Sequence, residues 1–176
     1  MNTFTSVQFL DKSRQGSVYV FRRWHFARFP VWAFQWISPE LLEPCVLRGR
    51  RELEPSPGGE YVAAVDPAFQ KSDFVFAILH RSDSGDITVI DASSWTGSKA
   101  VPLDFEVISQ QIHVKLAIYG INALVGDQFC YPMLQQHFAK LGIYYRLHTF
   151  GSSTRAKMFG TLRQLIVQRK ISIFDN

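Results

Sequence analysis

Hydrophobic positions along this chain change their period near residue 60 and again near residue 105. YVAAV (61–65), FVFAIL (74–79) and DITVIDA (86–92) are short apolar runs rich in β-branched and aromatic residues, the composition of strands. HRSDSGD joins the latter two through turn-forming residues, so the three runs read as consecutive antiparallel strands. The spacing then becomes helical: Phe105, Ile108, Ile112, Leu116 and Tyr119 form one stripe, ended by Gly120. NALVG reads as a buried strand ending at Asp127. Leu134, His137, Phe138 and Leu141 make a second helix stopped by Gly142, and IYYRLHTF supplies a further strand. Met158, Phe159, Leu162, Leu165 and Ile166 make a third helix behind the cluster GSST, and ISIF (171–174) is a last short strand. The pattern predicts an α/β fold: a mixed sheet begun by a three-strand meander and continued by helix–strand units, with helices on its faces.

Upstream, the pattern differs. Residues 17–36 carry Tyr19, Phe21, Trp24, Phe26, Phe29, Trp32, Phe34 and Trp36 among Arg22, Arg23 and Arg28. Such a stretch is core or interface material, or a surface that stacks bases and binds phosphates. Ser38 followed by Pro39 starts a short helix, and PSPGG (55–59) marks a boundary. Two regions are therefore expected, an aromatic and basic segment over 1–57 and a domain over 58–176.

At 176 residues with 47% hydrophobic content, the chain has material for one ordinary core. No apolar run reaches the roughly 20 residues that span a bilayer, and Asp11, Lys12 and Arg14 interrupt the start. A soluble, cytoplasmic protein without membrane partners is the expectation. Cys45 and Cys130 lack paired zinc spacing and read as free thiols. Charge is uneven: Lys plus Arg against Asp plus Glu is 8 to 6 over residues 1–60, 5 to 8 over 61–142 and 6 to 1 over 143–176. An acidic middle followed by a basic tail fits a solvated helix face, or a phosphate-contacting surface beside a carboxylate site.

Candidate chemistry gathers on aspartates. Asp66 ends the first strand of the meander and Asp127 ends a later one, and in open α/β sheets ligands bind at the carboxyl ends of strands. Pro67 after Asp66 and Gly126 before Asp127 give both side chains sharp exits from the sheet. Two such carboxylates repel, and a divalent cation relieves that cost, which makes a magnesium or manganese site the physical expectation. Asp73 is either a third or outer ligand or the polar end of its strand. Asp91 reads as a turn residue and His137 as a partly buried core histidine. There is no G-x-x-x-x-G-K-[ST] loop and no G-x-S-x-G elbow, and the five histidines share no metal spacing.

YVAAVDPAFQKSDFVFAILHR, LVGDQFCYPMLQQHFAKLGI and FGSSTRAKMFGTLRQLIVQRKISIFDN together resemble the nuclease domain of phage terminase large subunits, over roughly residues 58–176. The resemblance implies a ribonuclease H-like fold and a domain that cuts concatemeric double-stranded DNA during packaging, with two divalent cations, Mg²⁺ or Mn²⁺. It places Asp66 as the first-strand ligand, Asp73 as the accessory acid of the same turn and Asp127 as the acid of the later strand. On charge and proximity, Lys71, Arg155, Lys157 and Arg163 are expected to receive flanking phosphates. The family's further acid, in a helix beyond the last strand, has no counterpart before Asn176, and no motor phosphate loop precedes the domain. A truncated phage or prophage terminase is the expectation, with the terminase small subunit, the portal or a separate ATPase chain as further partners. An inactive DNA-binding remnant and another ribonuclease H-like nuclease, of resolvase or transposase type, are the alternatives.

Overall fold

The computed structural model describes residues 36–49, 54–55, 58–68, 73–98 and 100–174. The chain divides after Glu40, and the unit Leu41–Asn176 carries the sheet. A four-residue helix, α1 (Pro39–Leu42), passes through a 3-10 turn (Glu43–Cys45) into β1 (Val46–Leu47). The meander follows as β2 (Glu60–Asp66), β3 (Asp73–Arg81) and β4 (Ile87–Thr96). Then α2 (Phe105–Ile118), β5 (Ala123–Gly126), α3 (Tyr131–Lys140), β6 (Tyr144–Leu147), α4 (Ser152–Val167) and β7 (Ile171–Phe174) complete the alternation of helix and strand.

Seven strands form one sheet in the order β1-β7-β4-β3-β2-β5-β6. The meander pairs antiparallel at the centre, and the flanking pairs β2–β5, β5–β6, β4–β7 and β1–β7 are parallel. The expected α/β fold with a mixed sheet is what the chain adopts. The pairing of Val46–Leu47 with β7 brings a segment from before PSPGG into the sheet. No helix among the described residues is long and apolar enough to cross a membrane.

One face of the sheet is closed and the other is partly open, and this decides where a site can be. Ala63 and Val65 of β2, Phe74, Phe76 and Ile78 of β3, and Leu124 of β5 point to the closed face, because alternate side chains of a strand share a face. Ile108, Ile112 and Leu116 of α2 and Leu134 and Phe138 of α3 cover them. Asp104 starts α2 by accepting hydrogen bonds from the N–H groups of Glu106 and Val107 at 3.0 and 3.3 Å. Gly120 and Gly142 follow α2 and α3 with φ of 64° and 74°, conformations that cost a side-chain-bearing residue more than glycine. The third helix departs from its expected stripe. Only Ile166 of α4 is buried, while Met158 and Phe159 stay 42% and 47% exposed.

Asp91 is a correction to the sequence reading. It lies inside β4 with 4% of its surface exposed and is ion-paired to Lys115 of α2. The pairing register of β3 with β4 shifts between Ile78 and Leu79, leaving Ile90 as an extra residue. This bulge puts Ile90 and Asp91 in succession into the interior, breaking the alternation expected of a strand.

Candidate functional site

The acid pair is positioned by strand register. β2 and β5 run parallel with Ala63 opposite Leu124, Ala64 opposite Val125 and Val65 opposite Gly126. The next residues, Asp66 and Asp127, are therefore neighbours at the carboxyl ends of adjacent strands, whose backbones are about 4.8 Å apart. Val65 and Gly126 are buried, whereas Asp66 is exposed and Asp127 half-buried. Pro67 ends the ladder after Asp66, since it has no N–H to donate. Asp127 enters a tight turn: its Oδ1 accepts a hydrogen bond from the Phe129 N–H at 2.9 Å, and Cys130 adopts a left-handed φ of 51° before α3. One Asp127 oxygen is thus held by the backbone.

The other predicted residues are placed differently. Asp73 is the first residue of β3, on the side of β2 away from β5. Its Oδ1 accepts a hydrogen bond from Thr96 Oγ1 at 2.7 Å, across the register pair Asp73–Thr96. Arg155, Lys157 and Arg163 are exposed on α4. At about 100° per residue, Arg155 and Lys157 lie about 160° apart around that helix, so no single surface presents all three. Gln128 Oε1 accepts from the Phe150 N–H at 3.4 Å, docking the segment that leads into α4 beside the acid turn. Arg155, in the first turn, is the α4 cation nearest that anchor along the chain. Lys71 lies outside the described residues, as does the aromatic segment up to residue 35.

Three residues of β6 or its exit escaped the sequence reading, and two of them, Tyr145 and His148, lie toward the pair. Arg146 is opposite Val125, itself opposite Ala64, so it shares a sheet face with Asp66, two residues beyond Ala64. It is exposed, but its guanidinium carbon lies 5.8 Å from the ring centroid of Tyr144 at the start of β6, and it lines a cavity with Gly59, Tyr61 and Asn122 at the amino ends of β2 and β5, the end away from the acids. Tyr145 is buried and its hydroxyl has no hydrogen-bond partner. Burial first, then the negative charges of Asp127 and Asp66, push its phenol well above the usual tyrosine range. His148, just past β6, donates its backbone N–H to the Gly126 carbonyl at 2.7 Å, and its buried Nε2 is likewise unpartnered. Among the described residues these are the two buried side-chain polar atoms without a partner, and both follow β6 toward the acid end. A buried tyrosine in an apolar strand gives no sequence signal of this kind.

The donor set can be tested against a cation. Two carboxylates offer hard oxygen ligands, and Mg²⁺ is characteristically held by one or two protein carboxylates, with water and phosphate filling its other positions. Asp66 and Asp127 fit one such cation. Among the described residues no group of three or more His, Cys, Asp or Glu side chains converges.

Comparison with known proteins identifies the fold. The chain has a ribonuclease H-like fold, and specifically that of the nuclease domains of phage large terminases. It matches the large terminase nuclease from thermophilic phage G20c with a TM-score of 0.63 and 14% identity, over 77% of this chain and 73% of that one. The same nuclease with bound magnesium matches with a TM-score of 0.62 and 14% identity, over 77% and 72%. The HK97 bacteriophage large terminase matches with a TM-score of 0.63 and 15% identity, over 98% of this chain. The chain spans 42% of that terminase. No family model and no curated protein sequence matches it.

Proposed function

We propose that this chain is a divalent-metal-dependent DNA endonuclease domain of a phage or prophage terminase large subunit. Its substrate is concatemeric double-stranded DNA cut during genome packaging in the cytoplasm of the host cell. The observation that carries the reading is the register of β2 with β5, which sets Asp66 and Asp127 side by side at strand ends on a fold shared with terminase nucleases. The magnesium-bound G20c nuclease supports a hard divalent cation as the ligand.

Asp66 and Asp127 would hold the cation, and the Phe129 N–H holds one Asp127 oxygen. When bound, one or two such cations would neutralise charge on the transferring phosphate and lower the pKa of the attacking water. Asp73 is an accessory acid of the same site, held by Thr96. Arg155 is the cation best placed to take a phosphate flanking the cut. Lys71, Lys157 and Arg163 contribute to the wider electrostatic field. In this reading residues 58–176, with β1 joined to their sheet, form the nuclease domain and the rest of 1–57 a connector toward a motor, with the small subunit, portal or a separate ATPase chain as partners.

Plasmid nicking by the purified chain with Mg²⁺ or Mn²⁺ is the test. Cleavage lost in Asp66→Ala supports the enzyme; cleavage that persists unchanged in that variant removes it. One observation favours a second reading: among the described residues no third acid joins the pair. A catalytically inactive DNA-binding module would bind DNA in a salt-dependent way without metal-dependent cleavage. A resolvase-type relative would prefer branched over linear DNA.

A further inference from the structure

Burying a hydroxyl without a hydrogen-bond partner lowers stability, and phenylalanine would fill the same space without that cost. Tyr145 is 2% exposed, and its Oη is unpartnered. Its position is specific. A Cβ built on Gly126 would collide with the Tyr145 hydroxyl, would lie 2.6 Å from Tyr145 Cζ and would lie 3.0 Å from Val65 Cγ2. The hydroxyl therefore occupies the space left by the missing Gly126 side chain. Gly126 and Val65 are register partners, and each immediately precedes one acid of the pair. Asp127 has Oδ1 committed to the Phe129 N–H, which leaves Oδ2 to be oriented by something else.

We infer that Tyr145 is a positioning residue for the acid pair, its hydroxyl donating a hydrogen bond to the Asp127 carboxylate when a divalent cation is bound between Asp127 and Asp66. The inference rests on the metal-dependent reading above and adds a residue to it. Donors behind metal-binding carboxylates orient them, and their loss characteristically lowers metal affinity. That hydrogen bond would satisfy the hydroxyl that is otherwise without a partner.

The test uses the full chain and two readouts besides cleavage: Mn²⁺ affinity by calorimetric titration, and the thermal midpoint with and without Mn²⁺. In Tyr145→Phe the metal-free midpoint is expected to stay level or rise, while the Mn²⁺ dissociation constant rises about tenfold and the Mn²⁺-induced shift shrinks. Combining it with Asp127→Asn is expected to add little to the loss from Asp127→Asn alone, because both act through one carboxylate. Tyr119→Phe is the control and is expected to bind Mn²⁺ like the parent chain. Wild-type Mn²⁺ affinity in Tyr145→Phe overturns the inference and leaves the metal site standing. A metal-free Tyr145→Phe chain that fails to fold also overturns it, by giving the hydroxyl a structural role. If the parent chain and Asp66→Asn bind Mn²⁺ identically, the metal-dependent reading falls and this inference with it.

Discussion

Lys115 Nζ donates to both carboxylate oxygens of Asp91, at 2.7 Å to Oδ1 and 2.5 Å to Oδ2, joining α2 to the centre of β4. The Asp91 side chain is 5% exposed and that of Lys115 25%. Removing one partner leaves a buried charge uncompensated, and such losses are large. Lys115→Ala is therefore expected to lower stability by about 3 kcal/mol, read from urea denaturation midpoints. Asp91→Leu combined with Lys115→Met should recover most of that loss, since a packed apolar pair can replace a buried ion pair.

Gly126 is constrained by its neighbour rather than by its backbone angles. With the space of its absent Cβ filled by the Tyr145 hydroxyl and ring edge, Gly126→Ala must displace the ring or the strand. Overpacking of this kind costs about 1–3 kcal/mol, and thermal unfolding of the metal-free protein is the measurement. Because Asp127 is the next residue, the same variant should bind Mn²⁺ more weakly.

The acids predict opposite effects on stability and activity. Asp66 and Asp127 are like charges on adjacent strands, so in the absence of divalent cations Asp66→Asn should be more stable than the parent chain by about 0.5 kcal/mol. Adding Mn²⁺ should reverse the order, because only the parent chain gains binding energy. Metal-dependent nicking should be lost in Asp66→Asn and in Asp127→Asn, whereas Asp73→Asn should retain part of it. Chelation with EDTA should abolish cleavage while leaving the metal-free protein folded.

DNA affinity offers a separate test of the basic residues. Removing one phosphate-binding side chain should reduce the slope of log affinity against log salt by about 0.9. Arg155→Ala is expected to show that reduction, measured by fluorescence anisotropy between low and moderate salt, whereas Arg146→Ala, whose side chain lies at the amino ends of the strands, should leave the slope unchanged. Lys157→Ala, on the other side of α4 from Arg155, should change affinity less.

Much of this architecture is legible in the sequence because burial and period agree. The meander announced itself through β-branched runs, and α2 and α3 through stripes that end at Gly120 and Gly142, both at positive φ. Asp66 and Asp127 were legible as strand-end acids, although their adjacency depends on the parallel register of β2 with β5. Asp91 was not legible. Its neighbours Ala92, Ser93 and Ser94 read as a turn, while the bulge at Ile90 and the distant Lys115 are what make it an interior residue. Tyr145 was invisible for a related reason: its unsatisfied hydroxyl is a property of three strands meeting. The two-residue strand β1 is too short for any periodicity to announce.

The shallow burial of α4 has a consequence for timing and energy. Ile166 is the buried residue of this helix, near its last turn, and the Cys45 thiol donates to the Ile166 carbonyl at 3.6 Å. The first turns, carrying Arg155 and Lys157, hold no buried side chain. Local opening can thus proceed from the start of α4 while the sheet and the acid pair stay closed. A nucleic acid engaging Arg155 would spend part of its binding energy on holding the helix in place, so hydrogen-exchange protection would rise there first.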